Sequence, residues 1–103
     1  MMKLFFTGTF QYRPEQLLQR CGYGRAPSRV PSFQKRVGPL PFPRFHVYID
    51  PTPDGFRINL HLDQKAACYT GTTAHSGEYD GELVEREGER IRSIVEGLRV
   101  GKG

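Results

Sequence analysis

The sequence predicts an α+β fold, in which a small three-strand, mainly antiparallel sheet in the order β-α-long loop-β-β-α has its helices packed on one face. Polar and apolar residues alternate on both sides of a turn, over Arg44–Asp50 and Phe56–Asp63, which is the pattern of a β-hairpin. A later segment, Gly81–Arg99, repeats apolar residues at helical spacing. It therefore predicts an amphipathic helix that covers the apolar face of the hairpin.

The register of the hairpin follows from its four-residue turn. In this register Val47 lies opposite Leu60 on the apolar face, and a slip by one residue would mix polar and apolar side chains on each face. The pairs on the polar face are then Asp50 with Arg57, Tyr48 with Asn59, His46 with His61, and Arg44 with Asp63. Two of these pairs join opposite charges, which supports the register.

Three further segments complete the predicted order. Lys3–Phe10 alternates along its length and predicts a first strand. Pro14 starts a short helix that Gly22 ends. Residues 22–43 hold five prolines, no acidic residue and no periodicity, so this basic Pro/Gly-rich segment is predicted to be an irregular loop. A loop of that length is usually functional or disordered.

The length and composition indicate one small soluble domain. With 103 residues, of which 37% are hydrophobic, we expect a single α+β domain over 1–103. The N-terminus becomes polar at Thr7, so it has the apolar length of neither a signal peptide nor a membrane span. A cytoplasmic protein with no membrane contact is expected. Monomer and homodimer both stay open, because the predicted first strand leaves an unpaired edge.

The positive charge lies in the first half of the chain. Residues 1–50 carry eight Lys or Arg against two acidic residues, within a net charge of +4. Guanidinium groups neutralise phosphates, and exposed aromatic rings stack on unpaired bases. We therefore expect a nucleic-acid-binding protein, for RNA or single-stranded DNA, that needs no cofactor. The expected contact residues are Arg20, Tyr23, Arg25, Arg29, Phe33, Lys35, Arg36 and Arg44.

The alternative function is a small histidine-dependent enzyme or a metal-binding protein. His46 and His61 face each other in the predicted hairpin, and His75 and Glu78 follow in the next polar segment. Imidazoles with a further His or a carboxylate form a zinc site. Without metal, two imidazoles can act as acid and base in a nuclease while Arg57 or Lys65 holds the phosphate. The sequence leaves open whether the protein is an enzyme.

Overall fold

The fold is built on an antiparallel sheet that is wider than the sequence predicts. The computed structural model describes residues 1–64 and 76–100, and only the backbone of residues 76–80. In chain order the elements are β1 (Met2–Thr7), α1 (Pro14–Arg20), β2 (Gly24–Arg25), β3 (Ser32–Arg36), β4 (Arg44–Thr52), β5 (Gly55–Asp63) and α2 (Ser76–Glu96). The α+β class agrees with the prediction. The predicted three strands were wrong, because the described residues form a five-stranded sheet in the order β1-β5-β4-β3-β2.

The two additional strands lie in the segment 22–43, which the sequence predicted to be irregular. β3 pairs with β4 along all five of its residues, and β2 pairs with β3 at the sheet edge. The prolines of the segment flank these strands instead of interrupting them, so neither β2 nor β3 loses a ladder hydrogen bond to a proline. Phe33 anchors β3, since its ring is buried in the core.

The central hairpin has the predicted register. β4 and β5 pair from Arg44 with Asp63 to Asp50 with Arg57, and every pair predicted between them is confirmed. The structure extends both strands to the turn, so that Thr52 pairs with Gly55. β1 joins the other side of β5 and is shorter than predicted.

The core lies between one face of the sheet and the two helices. Alternation brings the apolar side chains of β1, β3, β4 and β5 to that face, and both helices pack on it. The fully buried members include Leu4, Phe6, Leu17, Leu18, Val47, Ile58, Leu60, Ile91 and Val95. Gly88 allows the close approach of α2 to β1, because a Cβ there would clash with the Met2 side chain. Neither described helix has the length and apolar character needed to cross a membrane.

A buried hydrogen-bond network ties α2 to the segment that follows α1. The Tyr23 hydroxyl donates to Glu87 Oε2 at 2.7 Å, and Arg90 donates to both oxygens of the same carboxylate. Arg90 also donates to the backbone carbonyl of Cys21 at 2.7 Å. Glu87 is the one residue that interrupts the apolar stripe of the helix, and these bonds compensate its burial.

The buried Cys21 thiol beside this network and the Tyr23 hydroxyl within it make stability depend on pH in the alkaline range. Burial raises the pKa of the Cys21 thiol from its ordinary value of 9.0 to about 11. Burial, and then the hydrogen bond to Glu87, raise the pKa of Tyr23. Because the folded state holds these protons more tightly, the associated stability is fully present below pH 9 and is lost as the pH rises towards 11.

We predict that Cys21→Ala flattens this alkaline loss. The parent should lose about 2 kcal/mol more than the variant in the free energy of unfolding between pH 8 and pH 11, because the variant has no thiol to ionise in the unfolded state. Urea unfolding at a series of pH values measures this difference. Equal losses in parent and variant would show that the thiol is not protected by burial.

Candidate functional site

The candidate site is the sheet face that points away from the helices, which we call the polar face. Strand alternation places polar and aromatic side chains there, while the helices pack on the opposite face. The polar face consists of Lys3, Phe5, Ser32, Gln34, Arg36, Arg44, His46, Tyr48, Asp50, Arg57, Asn59, His61 and Asp63.

Aromatic rings occupy the middle of the polar face. The Tyr48 ring stacks on the His46 ring, with centroids 4.8 Å apart, and meets the His61 ring edge-on at 5.7 Å. Phe5, on the edge strand β1, is 50% exposed. The face therefore offers one open ring and a cluster of three half-buried rings.

His46 is held by hydrogen bonds at both ring nitrogens. Its Nδ1 bonds to Asp63 Oδ2 at 2.9 Å, and its Nε2 bonds to Ser32 Oγ at 2.8 Å. The three residues come from three neighbouring strands, β3, β4 and β5. This chain fixes the orientation of the imidazole and, through the stack, of Tyr48.

A Ser–His–Asp chain is also the arrangement of a nucleophilic triad. Ser32 is completely buried, so a substrate carbonyl cannot reach its oxygen. Its neighbourhood in β3 is paired on both sides, as by the Ala26 amide that donates to the Ser32 carbonyl, and backbone amides in a ladder do not form an oxyanion hole. We interpret the chain as a restraint on the His46 ring.

The bonds of His46 also bear on the metal and nuclease alternatives. Both its nitrogens have protein partners, and the Nε2 atom that a metal ion or a substrate would use is directed at the buried Ser32. His61 does lie opposite His46, as predicted, and burial lowers the pKa of His61. Within the described part of the chain, no three side chains are grouped as metal ligands. His75, Lys65 and the side chain of Glu78 lie outside the described residues.

The charges of the polar face are mainly positive. Lys3, Arg36, Arg44 and Arg57 stand against the carboxylates of Asp50 and Asp63. The Asp50 carboxylate accepts hydrogen bonds from Arg57 and Asn59, which lower the pKa of its carboxyl group. The Asp63 carboxylate lies 3.9 Å from the Nε atom of Arg44. This balance favours anionic ligands.

The structure divides the residues predicted to contact nucleic acid. The rings of Tyr23 and Phe33 are buried in the core, so they cannot stack on bases, which corrects the role predicted for them. Of the basic residues, Arg36 and Arg44 lie on the polar face. The others lie elsewhere. By strand register, Arg25 and Lys35 belong to the opposite face of the sheet. Arg29 lies in the exposed β2–β3 loop, and Arg20 lies against the Tyr12 ring.

Eight residues of the polar face were missing from the predicted site, namely Lys3, Phe5, Ser32, Gln34, Tyr48, Asp50, Asn59 and Asp63. Lys3 and Phe5 share the exposed side of β1, and the alternation of Lys3–Phe10 already carried that signal. Ser32 had no such signal, because β3 was not recognised as a strand. The missing strand therefore accounts only for Ser32 and Gln34, since the other omitted residues lie on strands that the sequence did predict.

We predict that Ser32→Ala destabilises the protein, because it leaves a half-buried imidazole nitrogen without its partner. The expected loss is about 1–3 kcal/mol in the free energy of unfolding, measured in urea. The control is Ser28→Ala, which removes an exposed hydroxyl that bonds to the Val30 carbonyl and should cost less than about 0.5 kcal/mol.

The parent should also resist labelling of Ser32 by a fluorophosphonate, a reagent that reacts with activated serine nucleophiles. Labelling of Ser32 would contradict the restraint and restore the triad.

Comparison with known proteins identifies no relative of this chain. No protein-family model, no curated protein and no solved structure matches the chain. The function therefore has to be inferred from the geometry and charge of the polar face.

Proposed function

We propose that this protein binds single-stranded nucleic acid, RNA or DNA, on the polar face. The observation that carries the proposal is the combination of aromatic rings with surrounding cations on the sheet face that neither described helix covers. Rings stack on unpaired bases whatever their identity, and cations neutralise the phosphates between them. The basic segment 22–43 contributes Arg36 to this face, and Arg44 directly follows the segment as the first residue of β4.

The length of the polar face suits a short single-stranded stretch of nucleic acid. Asp50 and Arg44 lie six residues apart on β4, which corresponds to about 20 Å along the strand. Arg57 is paired with Asp50, and Phe5 is paired with Arg57, so these three residues mark one end of the face. Arg36 is paired with Arg44 and marks the other end. Several nucleotides can lie between these two ends, with the ring cluster midway.

The ring cluster is prepared for binding before a ligand arrives. His46 is fixed by its bonds to Ser32 and Asp63, and Tyr48 stacks on it. Side chains that are already ordered lose little conformational entropy when a base packs on them. The same bonds favour binding over catalysis, since they direct His46 Nε2 at the buried Ser32 and not at a ligand on the polar face.

We predict that cations of the polar face, and not basic residues in general, set the salt dependence of binding. Lys3→Gln with Arg36→Gln should reduce the slope of log K against log salt by about 1.4 for a single-stranded oligonucleotide, since each phosphate contact contributes about 0.7. Fluorescence anisotropy at several salt concentrations measures the slope. All the substituted side chains are exposed, so the fold should not change.

The matched control is Arg25→Gln with Arg29→Gln, which removes the same charge away from the polar face. Its slope should stay close to that of the parent. If the two double variants reduce the slope equally, the polar face is not the binding surface. If the parent binds no oligonucleotide at low salt, the proposed function fails.

We predict that Phe5→Leu weakens binding to a single strand while the salt slope stays unchanged. Leucine keeps the apolar character but has no ring to stack on a base, so the expected loss is about 1–3 kcal/mol. The control is Val30→Ala, which alters an exposed apolar residue in the β2–β3 loop. Equal affinity of Phe5→Leu and the parent would exclude stacking at β1.

A further inference from the structure

One end of the polar face carries two arginines in direct opposition. Arg36 ends β3, Arg44 begins β4, and the two residues are paired across the strands. Like charges in this position repel each other unless an anion neutralises them. The carboxylate of Asp63, which is paired with Arg44 across β4 and β5, accepts a hydrogen bond from His46 and lies 3.9 Å from Arg44 Nε, beyond hydrogen-bond distance. One shared carboxylate therefore neutralises this pair incompletely.

The loop between the two strands holds both guanidinium groups in place. The Val37 amide donates to the Pro43 carbonyl and closes the loop. The Arg44 guanidinium lies 4.3 Å from the centroid of the Phe42 ring, and Arg36 Nη1 donates to the Pro39 carbonyl at 3.4 Å. Stacking on a ring leaves the edge of a guanidinium free to bind an anion.

One donor of this pair and one acceptor near it have no hydrogen-bond partner among the described residues. Arg44 Nε and Gln34 Oε1 are buried polar atoms that have no hydrogen-bond partner among the described residues. Gln34 precedes Arg36 by two residues on the same face of β3, which is about 7 Å along the strand. A ligand that fits has anionic oxygens for the guanidiniums and, next to them, a hydroxyl that can donate to Gln34 after its amide turns outward.

We propose that the Arg36–Arg44 pair binds the terminal phosphate of a single-stranded oligonucleotide, with the neighbouring sugar hydroxyl next to Gln34. This inference rests on the proposed function and deepens it. A terminal phosphate monoester carries nearly two negative charges at neutral pH, whereas an internal phosphodiester carries one. Two guanidiniums, each able to bind phosphate through two donors, match the monoester. The polar face then receives the end of a strand and extends from there towards Tyr48 and Phe5.

The test compares one short RNA sequence with a 5′-phosphate, a 3′-phosphate or hydroxyls at both ends. The parent should bind one of the phosphorylated forms at least about tenfold more tightly than the hydroxyl form. Arg36→Lys and Arg44→Lys, which keep the charge but lose the two-donor geometry, should each reduce that preference. Lys3→Gln should weaken all three forms by the same factor and keep the preference. Since Arg36 is exposed, Arg36→Lys keeps the test decisive if Arg44→Lys does not fold.

The outcomes separate this inference from the proposed function. Equal affinity for all three forms would overturn the terminal-phosphate site and leave single-strand binding intact. No binding of any form would overturn both. Inorganic phosphate should compete only at concentrations far above those of the phosphorylated oligonucleotide. If it competes at equal concentration, the pair binds free phosphate and the strand-end site is wrong.

Discussion

The register of the hairpin β4–β5 is the constraint on which the rest of the structure depends. These strands occupy the interior of the sheet, and β1 and β3 are added on either side. Since side chains alternate between faces, one pairing sends Val47 and Leu60 into the core and His46 and His61 to the polar face. A slip by one residue on either strand would exchange these roles. The core and the candidate site are therefore two consequences of the same alignment.

A second constraint keeps the polar face separate from the helices. α2 packs on β1 and β5 from the apolar side, where Gly88 lets it approach closely. The Glu87 carboxylate of this helix accepts a hydrogen bond from the Tyr23 hydroxyl, and Arg90 donates to the Cys21 carbonyl directly after α1. Losing one partner would leave a buried charge without compensation, so these bonds specify where the helix lies. Both helices are thereby committed to one side of the sheet.

The accuracy of the sequence prediction followed the strength of the local pattern. The hairpin was predicted pair by pair, because four apolar residues alternate with polar ones in β5 and three do so in β4. β3 has one large apolar residue, Phe33, and its other position on the apolar face is Lys35, whose long stem can lie along apolar surface. With prolines on both sides, so weak an alternation resembled a loop. The rings of Tyr23 and Phe33 were therefore expected at the surface, whereas both are buried in the core.

The identity of the candidate site depended on contacts that no local pattern contains. The sequence placed His46 opposite His61 and left binding, metal and catalysis open, because a strand pattern gives the position of an imidazole but not the partners of its nitrogens. Asp63 and Ser32, from the strands on either side, bond to both nitrogens of His46. A general base or a metal ligand needs one nitrogen directed at its substrate or ion. A ring that supports a stack needs only a fixed orientation, which two protein hydrogen bonds provide. The partners of one side chain thus favour binding over catalysis on a face where the residue types alone are compatible with both.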